Sequence, residues 1–175
     1  MNKLNIGSGK TKIDGFISVD VMPCADIQGD FRTFNYKESS VEEIYCSHTI
    51  EHFTFKEADE IFALFKKWLK PNGILWLAVP DEEIIFKFLS DGDWSHYLIG
   101  LVYGNNRYET DIHKSGWCKN SLRKKVNEFG FRVVEEFKPF VVGEDGTGFD
   151  ASSMWYEDKW KNRYDISINF KCMKV

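Results

Sequence analysis

The stretch that decides the fold is Leu4-Asn5-Ile6-Gly7-Ser8-Gly9, followed closely by Gly15-Phe16-Ile17-Ser18-Val19-Asp20. Each contains a short apolar-alternating run that stops at residues suited to meeting a ligand, glycines in the first and a carboxylate in the second. Two such runs so close together read as neighbouring strands, with residues 7–15 as their connection. A parallel crossover usually takes a dozen residues or more, so the first helix is expected to be cut to about one turn. A third strand is at most the stub Ile27-Gln28-Gly29-Asp30, and Val41-Glu42-Glu43-Ile44-Tyr45-Cys46 is the fourth, running into Ser47-His48.

Beyond these strands, Thr54-Phe55-Lys56-Glu57 has the spacing of a capping box, with Thr54 as N-cap and Glu57 three residues on. Ala58, Ile61, Phe62, Phe65, Trp68 and Leu69 then recur at helical spacing and mark one buried stripe, which Pro71-Asn72-Gly73 is expected to end. Ile74-Leu75-Trp76-Leu77-Ala78-Val79 is a continuous apolar run, as a central parallel strand covered on both faces would be, closed by Pro80-Asp81. Residues 82–118 read as an insertion or lid, with a short helix at Ile84–Leu89 and a turn at Asp91-Gly92-Asp93. A helix near Ser121–Phe129, a strand at Phe131–Phe137 and a half-exposed strand at Ile166–Cys172, near a sheet edge, complete the pattern. Strands alternating with helices imply an α/β fold with a doubly wound, mostly parallel sheet. The 175 residues are expected to form one domain, with a mobile loop at about 142–162 around Val142-Gly143-Glu144-Asp145-Gly146-Thr147-Gly148.

Composition narrows the function. Hydrophobic residues at 43% and charged residues at 29% fit a globular chain. The net charge of −4 gives no electrostatic reason to expect nucleic acid or an anionic membrane as partner. Cys24, Cys46, Cys118 and Cys172 contain no C-x-x-C pair and read as reduced thiols. With no apolar signal core and no run of about 20 apolar residues, the expected compartment is the cytoplasm.

Ligands of doubly wound sheets bind beyond the carboxyl ends of the strands, which here are Gly7-Ser8-Gly9, Asp20, Asp30, Ser47-His48 and Pro80-Asp81. Glycines let the backbone approach a ligand, and Asp20 can accept hydrogen bonds from a ribose diol, so a nucleoside is indicated. A dinucleotide fingerprint would need a third glycine at position 12, which is Lys12, and an acid about 20 residues on. No Tyr-x-x-x-Lys pair follows from Tyr97, Tyr103 or Tyr108 either, which leaves a nicotinamide oxidoreductase as the weakest reading. S-adenosylmethionine has no phosphate, so a shortened helix costs it little.

The runs already quoted, together with Asp26, Gly29-Asp30-Phe31, Glu42–His52, Leu69-Lys70-Pro71-Asn72-Gly73, Val79-Pro80-Asp81 and His113 through Phe131, resemble the class I S-adenosylmethionine-dependent methyltransferases, in their small, compact branch. The resemblance implies a Rossmann-like, seven-stranded sheet whose last strand is antiparallel between two others. It also implies that Asn5, Gly7, Ser8 and Gly9 pass under the methionine portion, that Asp20 with Val21 holds the ribose, that Asp30 and Phe31 meet the adenine, and that Ser47 and His48 close the floor. Asn5 stands where the family usually has an acid, and Thr11 where a third glycine is often found.

Methyl transfer from a sulfonium needs chiefly alignment, and a base only where the acceptor must lose a proton. The base candidates are His48 and His113, with His52 behind them. Glu51 and His52, with Asp81, Asp91 and Asp93, supply ligand types for a divalent cation, yet turn chemistry accounts for the aspartates, and no metal is expected. Trp94, Tyr97, Tyr103, Tyr108, Trp117, Trp155, Tyr156 and Trp160 fall mainly in two irregular regions, as a lid or as packing under long loops. The reading is a methyltransferase acting on a small-molecule or saccharide acceptor. The alternative is a non-catalytic S-adenosylmethionine-binding module.

Overall fold

In the computed structural model, residues 2–105, 109–138 and 151–175 are described. Among them a seven-stranded sheet has the order β3-β2-β1-β4-β5-β9-β6, made of β1 (Lys3–Ile6), β2 (Ile17–Asp20), β3 (Ile27–Gln28), β4 (Val41–Ser47), β5 (Leu69–Pro80), β6 (Phe131–Glu136) and β9 (Ser167–Lys174). The pairs β1–β2, β1–β4, β2–β3 and β4–β5 are parallel, whereas β9 runs antiparallel to both β5 and β6. The doubly wound, Rossmann-like sheet and its antiparallel last strand are as expected. The edge on that side, however, is β6. β9 lies inside the sheet, and its period-two pattern reflects unequal cover on its two faces.

α1 (Phe55–Trp68) begins with the expected capping box: Thr54 Oγ1 accepts from the Glu57 amide, and the Glu57 carboxylate accepts from the Thr54 amide. Its stripe of Ala58, Ile61, Phe62, Phe65 and Trp68 is buried against Leu4, Ile6, Ile44, Leu75 and Leu77 of the sheet. Thr54→Ala should lower unfolding free energy by about 1 kcal/mol, read from a urea midpoint shift with unchanged slope.

The helix ends at Trp68 rather than at Pro71-Asn72-Gly73, because Leu69 already pairs with Val41 and residues 69–73 belong to β5. No helix at all joins β1 to β2. Residues 7–16 are turns, pinned by the Asn5 side-chain amide donating to Thr11 O at 3.1 Å and by the Gly7 amide donating to Val19 O at 2.9 Å. The expected shortened first helix is thus lost entirely.

The stretch expected as an insertion carries α2 (Glu82–Ser90), α3 (His96–Tyr103) and a 3-10 turn at Glu109–Asp111, and α4 (Lys119–Glu128) follows it. Ile85, Phe88, Leu89, Leu98 and Leu101 form a second small core with Ile166. The hairpin β7 (Trp155–Glu157) and β8 (Arg163–Asp165) closes over it, with Tyr156 stacked on Tyr97 and Phe88 packed on both Tyr156 and Tyr164. Of the loop expected at about 142–162, residues 142–150 lie outside the described residues, as does Tyr108, while the remainder is a 3-10 turn and this hairpin rather than loop. Trp117 is core, edge-on to Phe55, while Trp94, Tyr103 and Trp160 stay exposed. The four cysteines are free thiols. No helix among the described residues is long and apolar enough to cross a membrane.

Candidate functional site

The carboxyl ends of β1, β2 and β4 open onto a cavity of about 470 Å³, within the range of small-molecule sites. Gly7, Gly9, Asp20, Val21, Asp30, Phe31 and His48 line it, seven of the ten residues expected at the cofactor. Asn5, Ser8 and Ser47 are not among its lining. Asn5 and Ser8 are buried, and Asn5 spends its side-chain amide on the Thr11 carbonyl, so it braces the turn from behind instead of facing the ligand.

The two glycines differ in what they face. Both have positive φ, +65° at Gly7 and +52° at Gly9. A Cβ on Gly7 would lie 2.1 Å from Thr49 Oγ1, so the absent side chain makes room for the protein itself. A Cβ on Gly9 would meet nothing within 4 Å, and the bare backbone there fronts open cavity. Asp20 joins the two strand tips: Oδ2 accepts from the Gly9 amide at 2.7 Å and Oδ1 from the Met22 amide at 2.8 Å. Each oxygen keeps a second lone pair, so the carboxylate can accept from a bound diol while holding the loop.

Beyond β3, Asp30 caps the 3-10 turn Phe31–Thr33 and is clasped by Arg32, whose Nη2 donates to Oδ2 at 2.7 Å. The guanidinium holds the Asp30 carboxyl below the usual carboxylate range. Arg32 also reaches Glu57 Oε1 at 3.1 Å and lies over the Phe53 ring at 4.7 Å, so it forms a fixed wall of the cavity. Sequence reasoning missed Arg32, Phe53 and Glu57 as cavity residues, although Arg32 follows Phe31, Phe53 precedes the capping box and Glu57 belongs to it. It also missed Thr110, Asp111 and Lys114, which complete the lining from a segment distant in sequence. That segment is held by the Lys114 and Ser115 amides, which donate to Glu51 O at 2.7 and 3.1 Å.

His48 sits at φ +47°, a strained conformation for a non-glycine residue, just past β4. Its Nε2 pairs with Ser167 Oγ at 2.9 Å, and Nδ1 stands 3.4 Å from Glu51 Oε1. Burial pushes its pKa down to about 3. His113 does not line the cavity. Its Nδ1 faces Leu101 O at 2.9 Å, its ring meets His52 edge-on at 4.8 Å, and burial, with His52 beside it, lowers its pKa to about 4. Both imidazoles are neutral at pH 7, and neither has the matched pKa of an efficient general base. His52 does line the cavity, and burial lowers its pKa as well.

This combination of a parallel sheet, a glycine turn fronting a cavity and an acid at the next strand tip defines a nucleoside-binding α/β enzyme fold. The family described as "Methyltransferase domain" matches residues 7–77. Among solved structures, an S-adenosylmethionine-dependent methyltransferase from Methanosarcina mazei is 13% identical with a TM-score of 0.63, covering 99% of this chain and 92% of that one. A Haloferax volcanii methyltransferase solved with the Trm112 methyltransferase activator is 14% identical with a TM-score of 0.59, covering 98% and 81%. The 1,6-didemethyltoxoflavin-N1-methyltransferase of Burkholderia thailandensis, solved with its namesake ligand and S-adenosylhomocysteine, is 12% identical with a TM-score of 0.59, covering 99% and 70%. No curated protein matches the sequence. At these identities the structural likeness speaks to the fold, and the family match covers residues 7–77. Residues 7–77 thus match a methyltransferase-domain family, and the fold is shared with S-adenosylmethionine-dependent methyltransferases. The residues present suit S-adenosylmethionine: open space before Gly9, acceptor oxygens on Asp20 and apolar cover from Val21 and Phe31.

Proposed function

We propose that the chain, acting as one domain over its 175 residues, methylates a small polar acceptor, a metabolite or saccharide intermediate, inside the cavity between the strand tips and the segment 110–114. The observation that carries this reading is that one cavity is lined both by Gly9 and Asp20 and by His52, Thr110, Asp111 and Lys114. S-adenosylmethionine, when bound, supplies an electrophilic methyl group on a cationic sulfur. Gly9 admits the ligand to the backbone, Asp20 accepts from its ribose, and Asp30, Phe31 and Arg32 border the adenine. The segment 110–114 offers a cation at Lys114, an anion at Asp111 and a hydroxyl at Thr110, which suit an acceptor rich in hydroxyl or carboxylate groups. His48, neutral and held through Nε2 by Ser167 Oγ, positions the floor rather than taking a proton.

Calorimetry with S-adenosylmethionine, S-adenosylhomocysteine and NAD tests the cofactor assignment. Binding of the first two and not the third is expected. A methyl-release assay across sugars, hydroxy acids and short RNA oligonucleotides then tests the acceptor class. Turnover confined to RNA would overturn the small-acceptor reading while leaving methyl transfer intact.

A further inference from the structure

We propose that Glu51, His52 and His113 form a binding site for a divalent first-row transition cation of the zinc or manganese type, set in the wall of the same cavity. Donor atoms of these three side chains already lie within 4.8 Å of one another. In a filled tetrahedral site with bonds of about 2.1 Å the donors stand about 3.4 Å apart, so an inward movement of about an ångström closes the site.

Each donor is prepared in a way that packing alone does not require. Glu51 is 1% exposed, and among the described residues neither of its carboxylate oxygens has a hydrogen-bond partner. The His48 Nδ1 at 3.4 Å lacks hydrogen-bond geometry. A buried acid with no partner on either oxygen costs free energy even when neutral, and such groups in proteins are ordinarily hydrogen-bonded, paired or bound to metal. His52 Nδ1 faces Ile112 O at 3.3 Å and His113 Nδ1 faces Leu101 O at 2.9 Å. Carbonyls only accept, so His113 carries its proton on Nδ1 and presents the Nε2 lone pair, while His52 is oriented by the backbone at Ile112. Metal-binding histidines are commonly fixed by such a bond from the other ring nitrogen to a backbone carbonyl.

The chain brings the donors together by a tertiary contact. Glu51 and His52 lie on the 3-10 turn after β4, and His113 arrives on the segment whose Lys114 and Ser115 amides bond Glu51 O. Two imidazoles and one carboxylate favour zinc, cobalt or manganese over magnesium, which prefers an all-oxygen shell. The donors are not those expected alongside Glu51 and His52 from the sequence: Asp81 precedes α2, Asp91 ends it, and Asp93 bonds the Tyr156 hydroxyl. Because His52 lines the cavity, a coordination position opens toward the acceptor, and an oxygen-bearing acceptor could fill it. This last point rests on the methyl-transfer reading; the cation site does not.

The test uses Co²⁺ as probe on the full chain stripped with chelator. A visible absorption band that saturates at one equivalent and is displaced by Zn²⁺ is expected, with affinity reduced at least tenfold in Glu51→Gln and in His113→Asn. Chelated Glu51→Gln should melt close to the wild-type temperature, since a neutral amide of the same shape replaces a buried acid without a partner, and should lose the Zn²⁺-induced rise in Tm. Absence of a saturable band, retention of the band in both variants, or a Tm rise with Mg²⁺ alone would overturn the site and leave the two rings as packing. Should Glu51→Gln fail to fold, His113→Asn, altering a half-buried ring, decides the matter. S-adenosylhomocysteine titration of the same samples reports on the cofactor reading separately, so either can fail without the other.

Discussion

Asp20→Ala is expected to weaken S-adenosylhomocysteine binding by about 1.5–3 kcal/mol, roughly ten- to a hundredfold, as for loss of hydrogen bonds to a charged group. The carboxylate has two tasks that the experiment can separate. It holds the Gly9 and Met22 amides at 2.7 and 2.8 Å, and it offers its remaining lone pairs to a ribose. Asp20→Asn keeps one acceptor oxygen and should fall between wild type and alanine. Calorimetry gives the affinity and a urea titration gives the stability. A fall in stability with unchanged affinity would mean that Asp20 only staples the two strand tips, and the ribose assignment would fail.

Gly7→Ala is expected to destabilise the fold by about 2–5 kcal/mol, since left-handed backbone for a non-glycine residue costs about 1–2 and overpacking about 1–3. The new Cβ would sit 2.1 Å from Thr49 Oγ1 and 2.5 Å from its Cγ2. Thr49 cannot simply swing away, because its hydroxyl bonds Ser47 O at 3.1 Å behind the turn. The double variant Gly7→Ala/Thr49→Ala removes the two nearest atoms and should recover part of the loss, a positive coupling read in a double-mutant cycle. Gly9→Ala pays only the backbone strain, about 1–2 kcal/mol, yet places a methyl group in the space assigned to the cofactor. It should therefore cost affinity more than stability, the reverse of Gly7→Ala. Equal effects of the two substitutions on stability would contradict the division of labour drawn here.

How far the sequence disclosed the molecule depends on how local each signal is. α1 was readable because its capping box and its stripe from Ala58 to Trp68 lie within fifteen residues, and β5 because Ile74–Val79 is unbroken apolar chain. α3 was missed because His96–Tyr103 has no polar face to set a period: most of it packs into the small second core. β7 and β8 are too short at three residues each for alternation to register, and aromatic rings there fit a lid as well as packing under a loop. The loss of the first helix was half foreseen from the brevity of residues 7–15, but the Asn5 to Thr11 bond that replaces it is a side-chain contact no pattern reveals. The same limit applies at the site. Gly7, Gly9 and Asp20 are legible because strand ends announce them, whereas Lys114 and His113 reach the site only through amides bonding the Glu51 carbonyl, a contact across more than sixty positions.

The central claim is that an adenosyl group lies between the bare backbone at Gly9 and the carboxylate of Asp20. A crystal structure of the chain with S-adenosylhomocysteine tests it most directly. Density for the ribose within hydrogen-bond distance of Asp20, with the ligand's backbone-facing edge against Gly9 and the adenine beside Phe31, is the predicted result. A ligand seated elsewhere on the chain, or a ribose that makes no contact with Asp20, would contradict it.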